Sequence, residues 1–510
     1  MEYPANTVFG LLQSKPGRDA AIGAPDRKAL TFGDLRGLAE RTVSALNAMG
    51  IGRGDRVALV LPNGPEVAAA FVAIACGATT APLNPTYRAD EFDFYLSDLN
   101  AKALVIQHGM DSPARAAAAA RGIPVVELTP VDDGGAGEFS FMPPDGLSGA
   151  PALPGYGEAE DVALVLHTSG TTARPKIVPL RHRNITASAY HIGESLALKP
   201  DDVCLNIMPL FHIHGLIAAV LASLAAGGQV ICTPGFNAFK FLPWLQAVRP
   251  SWYTAVPTMH QAILGIATRH GGPIERGRLR LIRSSSASLP PQVMAALEAA
   301  FEVPVIESYG MTEAAHQMAS NPLPPAARFP GCVGIAAGPE IAIMDEDGVI
   351  LPVNAFGEVV IRGPNVTAGY ENNPQANAKA FTDGWFRTGD QGTLDERGYL
   401  RLTGRLKEII NRGGEKISPL EVDTVMMDHP AVAQIVTFAM PHDKLGEDVA
   451  AAVVLKDGAA ATEQELKAFA GLRLAAYKVP RKFVFLPEIP KGATGKLQRI
   501  GLAEKLGLTG

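Results

Sequence analysis

A chain of 510 residues exceeds what one hydrophobic core usually organises, so two or more domains are expected. Its 47% hydrophobic and 19% charged residues exclude a disordered or fibrous protein. A net charge of -6 leaves no basic footprint for nucleic acid or an anionic membrane surface, so the expected partner is a small molecule, with neither nucleic acid nor integral membrane association.

In chain order, the start Met1-Glu2-Tyr3-Pro4 lacks the basic, then apolar, pattern of a signal peptide, and Leu508-Thr509-Gly510 is no peroxisomal signal; a cytoplasmic protein is expected. Arg56 to Leu61 reads as an apolar strand, Pro65 to Ala75 as an Ala-rich helix and Thr79 to Leu83 as a strand. Asp90 to Leu99 then reads as a helix and Ala103 to Ile106 as a strand, an alternation that predicts an α/β fold with a mostly parallel sheet covered by helices. Pro130 to Asp161, rich in Gly, Pro and acidic residues, reads as a surface excursion, and Val162 to Leu166 as the next strand. The longest apolar run, Leu216 to Ala226, is shorter than the roughly 20 residues that span a bilayer and predicts a buried helix. Cys76, Cys204, Cys232 and Cys332 are too widely spread for a redox pair or a zinc knuckle. After Leu394 the texture changes to a βαβ-like tail with helices near Pro419 to Asp428 and Glu463 to Leu474. A boundary within Thr403 to Lys407 divides a large N-terminal domain of sheets covered by helices, residues 1–403, from a small α+β C-terminal domain, residues 404–510.

The strand at Val162 leads into His167-Thr168-Ser169-Gly170-Thr171-Thr172-Ala173-Arg174-Pro175-Lys176. Hydroxyls and backbone N–H groups of such a loop can donate to phosphate oxygens, Gly170 permits close approach, and Lys176 adds mobile positive charge. Taken alone, an ordinary Ser/Thr-rich surface turn is the alternative. The run is followed by Glu307-Ser308-Tyr309-Gly310-Met311-Thr312-Glu313 and by Gly384-Trp385-Phe386-Arg387-Thr388-Gly389-Asp390. Gly404-Arg405-Leu406-Lys407-Glu408, Asn411-Arg412-Gly413-Gly414-Glu415-Lys416-Ile417 and Pro490-Lys491-Gly492-Ala493-Thr494-Gly495-Lys496 complete the series. In this order and spacing the motifs resemble the adenylate-forming superfamily of acyl-CoA synthetases, amino-acid adenylation domains and beetle luciferases, over essentially the whole chain.

The resemblance implies ATP, Mg²⁺ and coenzyme A as cofactors, and a two-step reaction through an acyl-adenylate to a thioester. It implies that Thr168, Ser169, Gly170, Thr171, Thr172 and Lys176 hold phosphates, that Ser308, Tyr309, Gly310 and Thr312 hold the nucleotide with Tyr309 on adenine, and that Glu313 carries Mg²⁺. Asp390 and Arg405 are implied at the ribose, and Lys496 as the lysine that bridges carboxylate and α-phosphate. Lys407 is the implied hinge of a mobile C-terminal domain, Gly413, Gly414 and Lys416 serve the thioester step, and His212 gates the acyl carboxylate. Ala173 and Ile177 depart from the family's usual Gly without removing a charged or hydroxyl contact.

Three segments that line the acyl pocket by resemblance are polar here: Phe211-His212-Ile213-His214, Ser284-Ser285-Ser286-Ala287-Ser288 and Ala315-His316. Buried hydroxyls and imidazoles repel a fatty tail and suit a short polar acid, with His214 or His316 in protonated form, Ser285 and Ser286 at a second carboxylate. The middle of the chain is similar to the oxalate-CoA ligase branch. Structural histidines satisfied by backbone remain the alternative, above all for His260. Malonate, or a medium-chain or aromatic acid, competes as substrate; a carrier-protein-dependent adenylation domain and an inactive nucleotide-binding relic compete as function, and the chain is expected as a monomer or homodimer.

Overall fold

The computed structural model describes residues 3–168, 175–270, 274–492 and 497–508. The alternation after Asp55 forms a seven-stranded sheet in the order Phe139–Met142, Val125–Pro130, Ala103–Gln107, Arg56–Val60, Thr79–Pro82, Val162–Thr168, Lys176–Arg181. Its interior pairs are parallel and both edges are closed by an antiparallel strand. Strands such as Arg56–Val60 are apolar on both faces because helices cover both, and the Pro65–Ala75 helix is correspondingly buried on every side. Pro at its first turn starts it without losing a needed donor. The expected excursion at Pro130 to Asp161 contains one of the edge strands, Phe139–Met142: Phe139 is buried and its ring packs near Phe141, enough apolar surface to hold the segment on the sheet.

A nine-stranded sheet follows, in the order Ile335–Ala336, His316–Ser320, Val305–Met311, Leu281–Ser284, Trp252–Ala255, Val203–Asn206, Gln229–Cys232, Ala20–Ala24, Arg27–Thr31. The apolar run at Leu216 is a buried helix, but it begins as a π-helix, His214–Leu221, that continues as the α-helix Ala222–Ala226. The wider π turn sets His214 at the start of a helix packed against the sheet, and such turns recur at functional sites. A third, antiparallel sheet joins Glu340–Met344, Gly357–Arg362, Trp385–Leu394, Phe381–Thr382 and Leu400–Arg405, so its ladder runs on to Arg405.

The C-terminal sheet contains Glu415–Ile417, Ile410–Arg412, Gly446–Leu455, Val432–His442 and Lys482–Phe485. Gly446–Leu455 and Lys482–Phe485 are parallel and flank the Glu463–Gly471 helix, the expected βαβ unit; the other expected helix is Pro419–Met426. Its apolar cores, around Ile410 and Val436, are separate from those of the N-terminal part. Contacts between the two parts include polar ones, Gln434 with Gln261 at 3.3 Å and Arg269 with Asp457 at 2.9 Å. The second pair is exposed, and exposed pairs contribute about 0–1 kcal/mol. No helix among the described residues is long and apolar enough to cross a membrane.

Candidate active site

The Glu307–Glu313 motif is the end of the Val305–Met311 strand and the tight 3₁₀ turn Thr312–Ala314 that follows. Tyr309 is buried, and its hydroxyl donates to the Asp390 carboxylate. Asp390 stands directly opposite Arg405 across two antiparallel strands, which sets their ion pair at 3.0 Å. Burial, reinforced by the Asp390 charge, pushes the Tyr309 phenol well up, while Asp390 holds Arg405 above its usual range. Three motifs far apart in sequence thus make one corner, an aromatic ring beside a paired carboxylate and guanidinium. Gly310 must be glycine: a Cβ there would lie 1.9 Å from the His316 carbonyl oxygen.

Beside this corner, Glu313 is buried and its Oε1 accepts a 2.8 Å hydrogen bond from the Tyr370 hydroxyl. Lys176 Nζ lies 3.9 Å over the Tyr370 ring. Burial lowers the Lys176 pKa, with the Glu313 charge opposing that shift and Lys407 adding to it, so the three charged groups share one electrostatic field. Thr168 ends its strand with Oγ1 buried and, among the described residues, without a hydrogen-bond partner. A carboxylate, a lysine ammonium and an orphaned hydroxyl suit a Mg²⁺-bound polyphosphate, since Mg²⁺ takes one or two carboxylates together with substrate phosphates. Ser169, Gly170, Thr171, Thr172 and Lys496 lie outside the described residues. Ser308 is buried, its hydroxyl donating to Ser284 O at 3.3 Å.

Gly413, Gly414 and Lys416 sit on the exposed hairpin between Ile410–Arg412 and Glu415–Ile417. Positive φ angles of 60° and 101° explain the two glycines. Among the described residues no hydrogen bond or ion pair joins Gly413, Gly414 or Lys416 to Lys176, Glu313 or Asp390.

The three expected acyl-pocket segments meet. His214, fully buried, has Nδ1 3.0 Å from Ser286 Oγ and Nε2 2.6 Å from Thr254 Oγ1, and its ring centre is 4.9 Å from that of His316. His212 is half-buried beside them, its Nδ1 accepting from the His214 backbone N–H at 3.4 Å. Ser286, Ala315 and His316 have φ of 75°, 47° and 102°, a concentration of left-handed non-glycine backbone of the kind held only where surrounding structure enforces it. Ser285 behaves differently from its neighbour: its hydroxyl donates to the Ser308 carbonyl at 2.9 Å and ties the serine loop to the nucleotide strand. His260 lies apart, against Tyr253, and burial lowers its pKa to about 3.

Two residues escaped the sequence reading. Tyr370 could have been noticed only through its partner Glu313, distant in sequence. Arg283, on the strand Leu281–Ser284, is fully buried; Nη1 faces Thr254 Oγ1 at 3.4 Å and His214 Nε2 at 3.5 Å, and Nη2 faces Gln317 Oε1 at 3.1 Å and His316 Nδ1 at 3.5 Å. Its signal was a lone cation between the apolar Leu281-Ile282 and the serine run that follows.

Residues 11–371 match the AMP-binding enzyme family and residues 421–496 the AMP-binding enzyme C-terminal domain. The chain is 46% identical to an oxalate–CoA ligase of Arabidopsis thaliana over 97% of this chain and 98% of that protein. It is 42% identical to an oxalate–CoA ligase of Saccharomyces cerevisiae, over 89% and 87%. ATP-bound MatB from Rhodopseudomonas palustris superposes with a TM-score of 0.86 at 30% identity, over 98% of both chains. The chain belongs to the AMP-binding enzyme family, as a carboxylate–CoA ligase that uses ATP, Mg²⁺ and coenzyme A.

Proposed function

We propose that this ligase acts on oxalate, converting it to oxalyl-CoA with release of AMP and pyrophosphate. The carrying observation is the meeting of three acyl-pocket segments in a cluster of polar side chains, the buried His214, Thr254 and His316 with half-buried Ser286, which offers a hydrocarbon tail polar groups that it can reach only by breaking their hydrogen bonds. Each such loss costs about 1–3 kcal/mol, and a second carboxylate restores them. The identity to two named oxalate–CoA ligases supports the same reading.

In the first step a carboxylate oxygen attacks the α-phosphorus of ATP and the bond to pyrophosphate breaks. Tyr309 and Asp390 with Arg405 orient the nucleoside, Lys176, Thr168 and Thr312 neutralise or bond phosphate oxygens, and Lys496 joins the carboxylate to the α-phosphate. Glu313 would hold Mg²⁺, which supplies charge neutralisation on the phosphates. In the second step the CoA sulfur attacks the acyl carbon and AMP leaves. For that step residues 404–510 turn about Lys407 and bring Gly413, Gly414 and Lys416 to the pantetheine path, with His212 clearing the acyl carbonyl. Steady-state AMP release with oxalate, malonate, acetate, octanoate and coumarate tests the proposal: kcat/KM is expected to be highest for oxalate, and a higher value for octanoate or coumarate refutes it. Malonate is the close competitor, since one methylene is worth only about 1–3 kcal/mol.

A further inference from the structure

We propose that Arg283 is a positioning residue of the acyl pocket, which fixes His214 and His316 as neutral rings whose donors run outward to the distal carboxylate, through the Ser286 hydroxyl and from His316 Nε2, and supplies the positive charge behind them. The inference rests on the oxalate reading for the identity of that anion, but its geometry stands independently.

A guanidinium only donates. Nη1 is shared between Thr254 Oγ1 and His214 Nε2, and Nη2 between Gln317 Oε1 and His316 Nδ1. His214 Nε2 and His316 Nδ1 are therefore acceptors, and each ring carries its proton on the other nitrogen. For His214 that nitrogen is Nδ1, which donates to Ser286 Oγ at 3.0 Å and leaves the Ser286 hydrogen to point at a ligand. Thr254 accepts from Arg283 and passes its own hydrogen to His214 Nε2 at 2.6 Å, so the chain Arg283–Thr254–His214–Ser286 has one direction, donors outward. The sequence reading assigned the charge to a protonated histidine; a ring protonated on both nitrogens would set an N–H against an N–H of Arg283.

Among the described residues Arg283 pairs with no carboxylate. The groups facing it are His214 from the π-helix, Thr254 from its neighbouring strand, His316 and Gln317 from the strand His316–Ser320, and the buried thiol of Cys204, which acts on it electrostatically. Burial lowers its pKa to about 9, so it is still charged at neutral pH. A buried cation set among neutral acceptors is completed by an anion, and its place directly behind the histidines limits that anion to a short acid.

The test combines tautomer and kinetics. Long-range ¹H–¹⁵N spectra of the wild-type protein are expected to show His214 protonated at Nδ1 and His316 at Nε2, unchanged between about pH 6 and 8.5; any other tautomer, or titration in this range, overturns the inference whatever the substrate. In Arg283→Gln both rings are expected to titrate, KM for oxalate to rise about tenfold at pH 8 and to recover toward pH 6, with kcat within about threefold and KM for acetate unchanged. Arg283→Lys, which keeps charge but loses the fork, is expected to fall between the two. Equal loss toward oxalate and acetate at every pH, or an unchanged oxalate KM in Arg283→Gln, refutes it. Binding of MgATP by each variant verifies the fold, and wild-type turnover of oxalate decides the substrate reading separately.

Discussion

Removing one oxygen from Tyr370 tests how the proposed metal carboxylate is held. In Tyr370→Phe the ring stays under Lys176, 3.9 Å from its ammonium, so the cation–π contact persists and only the 2.8 Å hydrogen bond to Glu313 Oε1 is lost. Both side chains are buried, which keeps water from replacing the donor. A hydrogen bond to a charged group contributes about 1.5–3 kcal/mol, and loss of a group that orients a metal ligand costs about 10- to 100-fold in metal affinity. The assay is an Mg²⁺ titration of pyrophosphate release at saturating ATP and oxalate, with thermal unfolding as a control. The half-saturating Mg²⁺ concentration is expected to rise by about 10- to 100-fold while the rate at saturating Mg²⁺ changes less. A lower rate with an unchanged Mg²⁺ titration would refute the claim that Tyr370 acts through Glu313.

Three further outcomes are expected. Glu307 is buried with Oε1 accepting from the Leu289 N–H, and burial raises its pKa from 4.5 to about 8. The folded state therefore binds the proton more tightly, so this contribution to stability is full below the unfolded value and is lost as pH rises to about 8, by at most about 1.4 kcal/mol per pH unit; Glu307→Gln should flatten that slope in urea unfolding between those values, and an unchanged slope contradicts it. Gly310→Ala places a methyl 1.9 Å from a backbone oxygen of the same hairpin, so both the unfolding temperature and adenylation should fall; an unperturbed variant would mean the strand and His316 are not so close. Lys496→Ala should abolish adenylation yet spare thioester formation from supplied oxalyl-adenylate, and equal loss of both steps sinks the role assigned to Lys496.

Much of the fold was legible because parallel strands covered on both faces leave near-continuous apolar runs such as Arg56–Val60, and because the Pro65–Ala75 helix is apolar all round. The meeting of His214, Ser286 and His316 was legible as well, since each falls in a segment that the motifs bring to one place by resemblance. What escaped notice depends on geometry that no local pattern encodes. Ser285 and Ser286 are identical in sequence, and only the left-handed backbone at Ser286 sends one hydroxyl to a carbonyl and the other to an imidazole. Arg283 looks like a stray cation after Leu281-Ile282 until Thr254, His214, His316 and Gln317 arrive from three other elements. The edge strand Phe139–Met142 was hidden by its Gly- and Pro-rich flanks, and the π turn at His214 has the same apolar texture as an α-helix.

The central claim, that the buried polar cluster selects oxalate, is tested most directly by competition: purified enzyme with ATP, Mg²⁺, limiting CoA and equal concentrations of oxalate, malonate, acetate and octanoate, with the thioesters separated by mass. Oxalyl-CoA is expected as the main product, and octanoyl-CoA or acetyl-CoA as the main product would contradict it.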